Sequence, residues 1–175
     1  MLFLAAHPAL DPAIRSPLAL RFVLGVSTER IARLFLVPTA TMAARLTRAK
    51  KRIRATGLRF GLPPPEARGE RVDDVARMIL LAFTAGYAPG DQHVVRVQDA
   101  GEAVRLALIA QEVMPGEETL RALAALVLLQ HSRRDARVGD DGETVLLARQ
   151  DRSRWHTEEV EAGLTLLGGL APGNG

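Results

Sequence analysis

Met42, Leu46, Ala49 and Ile53 follow one another at steps of four, three and four residues, and Thr41, Arg45, Arg48 and Arg52 repeat those steps one residue earlier. At about 3.6 residues per turn the first set makes one apolar stripe and the second a polar, cationic stripe about 100° away. A strand, whose side chains alternate faces, keeps neither stripe together. The segment therefore has to be a helix that packs along one side and presents an adjacent basic side.

What precedes it is short and punctuated. Ser16-Pro17 reads as a helix start, with Leu18 and Phe22 supplying an apolar side before Gly25 ends the segment. Gly25-Val26-Ser27 forms a tight corner, Ser27 caps a second helix with Glu29 in its positive first turn, and Ile31, Leu34 and Phe35 share a face. Leu36-Val37-Pro38 interrupts that helix, and Pro38 or Thr39 opens the basic one, which runs to about Ala55. A short helix, a tight corner and a basic amphipathic helix predict a helix-turn-helix. In such a unit the N-terminal residues of the last helix meet base edges in the major groove, and arginines fork onto guanine or phosphate. Thr39, Thr41, Arg45 and Arg48 are the candidate base-contacting residues, with Lys50, Lys51 and Arg52 holding flanking backbone or a protein partner. The competing reading is an ordinary surface helix made soluble by its charges. Stacking aromatics are absent from the basic helix, which disfavours a single-stranded nucleic-acid platform.

The charge distribution agrees with a polyanion partner. The 175 residues carry a net charge of +3, yet residues 1–60 hold eleven Lys or Arg against Asp11 and Glu29, a net of +9, while residues 61–175 hold twelve against eighteen acids, a net of −6. Gly57 follows the basic run, and Gly61-Leu62-Pro63-Pro64-Pro65 cannot continue a helix. The predicted organisation is a helix-turn-helix domain over 1–60 with 1–15 as lead-in, an extended proline linker over 61–68, and an acidic helical domain over 69–175. Without cysteine the chain has no disulfide framework, Cys-ligated zinc, iron–sulfur centre or thiol nucleophile. The apolar opening Met1-Leu2-Phe3-Leu4-Ala5-Ala6 lacks the basic leader of a signal peptide, and no later stretch is long enough to span a bilayer, so a cytoplasmic protein with no membrane partner is expected.

In the acidic part, Val72, Val75, Ala76, Ile79, Leu80 and Phe83 repeat with helical spacing, a second helix is predicted over 98–112, and Leu120, Leu123, Ala124, Val127 and Leu128 mark a third. The β-branched residues around Gly139-Asp140-Asp141-Gly142 suggest a short β-hairpin, and a final helix is expected over 157–168. The fold class is thus all-α: a helix-turn-helix followed by a small helical bundle. Asp140, Asp141 and Glu143 lack the alternating ligands of a calcium loop and read as turn solvation, while His93, His131 and His156 lack metal-ligand spacing. Asp73-Asp74 opens a helix, where carboxylates favour the dipole. With no P-loop, GxSxG or dinucleotide glycine pattern either, no enzyme, metal or cofactor is expected. Trp155, flanked by Asp151, Arg152 and Arg154, reads as a structural corner, with an interaction spot as the alternative.

The run from Leu20 through Gly25-Val26-Ser27 and Val37-Pro38 to Arg45-Leu46-Thr47-Arg48-Ala49-Lys50-Lys51-Arg52-Ile53-Arg54 resembles region four of extracytoplasmic-function RNA polymerase sigma factors. His7-Pro8-Ala9-Leu10, the proline triplet and Gln150-Asp151-Arg152-Ser153-Arg154-Trp155 are similar to a subgroup with an extra helical domain after region four. The resemblance implies binding of the upstream promoter element as double-stranded DNA, with core RNA polymerase as partner. Family members usually begin with region two, and the subgroup continues past the Trp155 helix, so a piece of a longer sigma factor is expected. Two other readings stay open: a polymerase-independent helix-turn-helix regulator, and a sigma-derived protein-interaction or decoy module.

Overall fold

The computed structural model describes residues 2–55, 57, 64–87 and 97–170, and in these it is all-α, with eight α-helices and no strand. The chain divides into two compact units, residues 1–85 and 86–175.

The first unit starts with α1 (Leu2–Ala5) and α2 (Pro12–Phe22). Helix α2 begins four residues before the predicted Ser16 start. The Asp11 carboxylate accepts from the Ala13 N–H at 2.9 Å, Pro12 occupies the first turn, and Pro17 lies inside the helix, buried. Asp11-Pro12 satisfies the same capping chemistry one turn earlier, so the helix nucleates there and absorbs the later proline. Helices α3 (Thr28–Leu34) and α4 (Thr39–Ala55) follow as the sequence predicts. Leu10, Leu20, Ile31 and Met42 are among the largest fully buried side chains and form the core between these helices. Each contributes on the order of 1.5–3 kcal/mol by leaving water.

Helix α5 (Gly69–Tyr87) follows the prolines, and its residues up to Ala85 belong to the first unit. Arg15 of α2 pairs with Asp74, Arg71 donates to the Phe3 carbonyl at 3.3 Å, and Arg30 of α3 donates to the Ala85 carbonyl at 2.7 Å. Val75, Met78 and Ile79 on the inner face of α5 are buried. By compactness the chain divides at 85/86, after the residues of the predicted linker over 61–68. Residues 61–63 of that linker lie outside the described residues, and Pro65–Ala67 form one 3-10 turn.

In the second unit α6 (Val97–Val113) packs on α7 (Glu118–His131), and α7 on α8 (Thr157–Gly168). Leu120, Ala124, Ala125 and Val127 of α7 are fully buried between its neighbours. The expected hairpin is reduced to a single antiparallel bridge, Val138 with Thr144, closed by Gly139 N–H to the Glu143 carbonyl at 2.9 Å. Gly142 takes φ +80° in the turn, and the chain then coils into a 3-10 turn at Leu147–Arg149, so no ladder extends from the bridge.

Candidate nucleic-acid interface

The corner that presents α4 is built from local chemistry. The Ser27 hydroxyl accepts from the Arg30 N–H at 3.3 Å, capping α3. The Glu29 carboxyl titrates below the usual range because its own backbone N–H and the Ser27 hydroxyl hold it ionised in the positive first turn. At the other end, Val37 N–H reaches the Ala32 carbonyl at 2.9 Å and Leu36 N–H the Arg33 carbonyl at 3.1 Å. This is a Schellman closure, which demands a left-handed residue after the cap. That residue is Leu36, at φ +53°, where a side chain costs about 1–2 kcal/mol relative to the right-handed conformation.

Along α4 the predicted division of faces holds. Met42, Leu46 and Ala49 are buried and Ile53 is half-buried, whereas Thr39, Thr41, Arg45, Arg48, Lys50, Lys51 and Arg52 are all exposed. Thr41, Arg45, Arg48 and Arg52 line up along one flank. Arg45, Arg48 and Arg52 also form one wall of an open cleft of about 420 Å³ whose other wall is Leu10, Asp11, Ala13 and Ile14, at the start of α2. Lys50 does not join them. It sits about 140–160° around the helix from Arg45 and Arg48, with its ammonium 5.7 Å from the centre of the Phe22 ring. Thr39 lies toward that same side, at the first turn.

Three residues passed over by the sequence reading, Ala40, Ala44 and Thr47, join the predicted Lys51 on the line most nearly opposite the core. All four are exposed there, and Thr47 returns its hydroxyl to the Ala43 carbonyl at 2.9 Å. Apart from Lys51 the side chains on this line are short, and the longer Arg45 and Arg48 stand beside it. The signal was present in the same 3.6-residue period, one residue earlier again, but alanines carry no chemistry to draw attention.

Elsewhere several of the singled-out polar residues have structural partners. Asp141 accepts from the Glu143 N–H at 3.0 Å within its own turn. His131 and His156, remote in sequence, are drawn into one network when α7 meets α8. Arg134 donates to both Glu159 oxygens at 2.8 and 2.9 Å and to His156 Nδ1 at 2.9 Å, His156 Nε2–H donates to Asp135 at 2.7 Å, and His131 Nδ1–H donates to Glu159 at 2.9 Å. The Trp155 ring has Arg133 and Arg152 at 5.9 and 5.6 Å from its centre. His93 lies outside the described residues. Among the described residues no group of acidic and histidine side chains is arranged to hold a metal ion, and no helix is long and apolar enough to cross a membrane.

A short capped helix, a tight closure and a cationic helix exposed beside its packed stripe define a helix-turn-helix. Residues 1–53 match the family described as sigma-70, region 4, which makes the chain sigma-factor-like. Residues 71–170, more than half of its length, match the family of unknown function DUF6596, and the chain belongs to that family. It is 41% identical over 168 residues to the uncharacterized protein R00370 of Rhizobium meliloti (strain 1021), a match covering 95% of this chain and 40% of that relative. The chain thus spans less than half the length of the curated relative it matches. No solved structure matches it.

Proposed function

We propose that the chain binds the upstream element of a promoter as double-stranded DNA and works together with core RNA polymerase in transcription initiation. Thr39, Thr41, Arg45 and Arg48 contact the DNA, and Lys50, Lys51 and Arg52 hold flanking phosphates or the polymerase. The observation that supports this reading is the exposed Thr41–Arg45–Arg48–Arg52 flank beside the buried Met42–Leu46–Ala49 stripe, within the residues that match sigma-70, region 4. With α4 in the major groove, the guanidinium groups lie where bidentate bonds to guanine or phosphate form, and each phosphate neutralised releases a counterion. The acidic helices after the prolines act as an accessory region, not as a catalyst.

The test is duplex binding by the full chain as a function of salt, together with co-purification with core polymerase. Affinity falling about 10³-fold or more between roughly 50 and 200 mM salt, as expected for six or more phosphate contacts, and recovery of polymerase with the chain are the expected results. Salt-insensitive or absent duplex binding overturns the DNA reading. Duplex binding without polymerase leaves a polymerase-independent regulator in its place.

A further inference from the structure

Leu36 is 92% exposed and is the non-glycine residue with positive φ, +53°, among the described residues. The Schellman closure between α3 and α4 requires the left-handed conformation there, and glycine meets that requirement without strain. Leucine introduces strain, and because its side chain is in water the fold recovers no burial in exchange. At the two positions where such a closure usually places its apolar contact, Ala32 is buried and Val37 half-buried, and Leu36 is not one of them. The closure needs the left-handed backbone but not the leucine, and a side chain that adds strain without burial points to a role outside the fold.

The surroundings say what kind of surface that is. From Arg30 to Pro65 the chain contains no Asp or Glu, while Arg33 precedes Leu36 by three residues and Thr39 follows it by three. A protruding leucine in a stretch with cations and no acids faces a polyanion that also offers apolar carbon. Duplex DNA offers both, through phosphates and through deoxyribose and thymine methyl groups at the edge of the major groove. We infer that Leu36 is a DNA-contacting residue, packing its isobutyl group against deoxyribose or thymine methyl carbon at the groove edge when the first turn of α4 enters. This rests on the DNA-binding reading above and extends it to a residue outside the recognition helix.

The experiment measures duplex affinity of the full chain and its Leu36→Gly, Leu36→Asn and Leu36→Met variants, using a duplex that the full chain selects from a randomised pool, with thermal unfolding of each variant alongside. Gly and Asn accept the left-handed backbone, so both variants are expected to fold at least as stably as the parent while binding roughly three- to tenfold more weakly, the scale of losing one or two apolar carbon contacts. Leu36→Met, which keeps a long apolar side chain, is expected to stay near the parent affinity. Replacing thymine by uracil in the duplex separates the two sources. A matching loss in the parent, absent from Leu36→Gly, assigns the contact to a thymine methyl, and no loss assigns it to deoxyribose. Unchanged affinity of Leu36→Gly and Leu36→Asn, including the case where only association with polymerase weakens, overturns the inference alone. A parent chain that selects no duplex overturns the DNA-binding reading and this inference with it.

Discussion

Arg15 on α2 and Asp74 on α5 form an ion pair in which both side chains are largely withdrawn from solvent, 15% and 16% exposed. Arg15 also donates through Nε to the Leu10 carbonyl at 3.1 Å, so one guanidinium ties the segment before α2 to the helix after the prolines. Removing the carboxylate leaves that guanidinium partly buried and short of a partner. Asp74→Asn is therefore expected to destabilise the protein by about 1–3 kcal/mol, read as a lower thermal midpoint. An unchanged midpoint would show that α5 is not held through this pair.

The two flanks of α4 make different predictions for residues that a charge count treats alike. Arg45 and Arg48 are exposed beside the outward line of the helix, while the Lys50 ammonium is over the Phe22 ring on the far flank. Arg45→Ala and Arg48→Ala are each expected to weaken duplex binding by about 1–3 kcal/mol for a base contact, or to reduce the salt slope by about one for a phosphate contact. Thermal stability should remain near that of the parent. Lys50→Ala is expected to cost less affinity than either. The measurement is a salt titration of duplex affinity for the three variants, and a Lys50→Ala loss equal to the arginine losses would refute the division of faces.

That division was legible in the sequence because it depends only on helical period, which Met42, Leu46, Ala49 and Ile53 declare over about three turns. Ser27 was legible for a similar reason, since a hydroxyl cap acts within three residues. The Arg15–Asp74 pair was not, because its members are 59 residues apart and meet only through the packing of α5. The network of His131, Arg134, Asp135, His156 and Glu159 was hidden in the same way, being assembled by α7 and α8. Leu36 was missed for the opposite reason. Left-handed positions are normally announced by glycine or asparagine, and leucine conceals one.

His7 provides a pH-dependent test of the first unit. Burial, with repulsion from Arg71 and Arg15 added, holds its imidazole below the ordinary value of 6.5. Its Nδ1 accepts from the Ala9 N–H at 3.1 Å, a bond that protonation removes. A histidine depressed in the folded state stabilises the fold above its unfolded value, and that stability is lost as pH falls through the folded value. Thermal stability is thus expected to decline on acidification below the ordinary histidine range. His7→Asn, which retains an acceptor and cannot be protonated there, is expected to flatten that part of the profile. Identical profiles for the two proteins would assign the acid sensitivity to other groups.

Gly163 carries the corresponding test in the second unit. It is the buried residue of α8, and a Cβ built on it falls 2.8 Å from Leu129 Cγ and 3.3 Å from the Ala125 carbonyl oxygen, both on α7. The leucine side chain can shift by rotating, but the carbonyl belongs to the α7 backbone and moves only with the helix. Alanine is the better helix former by about 1 kcal/mol, so in an open position Gly163→Ala would stabilise α8. Here the forced separation of α7 and α8 is expected to outweigh that gain, for a net destabilisation of about 1–2 kcal/mol. It would also strain the bonds that Arg134 and His131 make to Glu159 one turn earlier on α8. Thermal unfolding of Gly163→Ala reads the sign directly. A raised midpoint would mean that α8 is free to move away from α7, and that the absent side chain is not what lets the two helices meet.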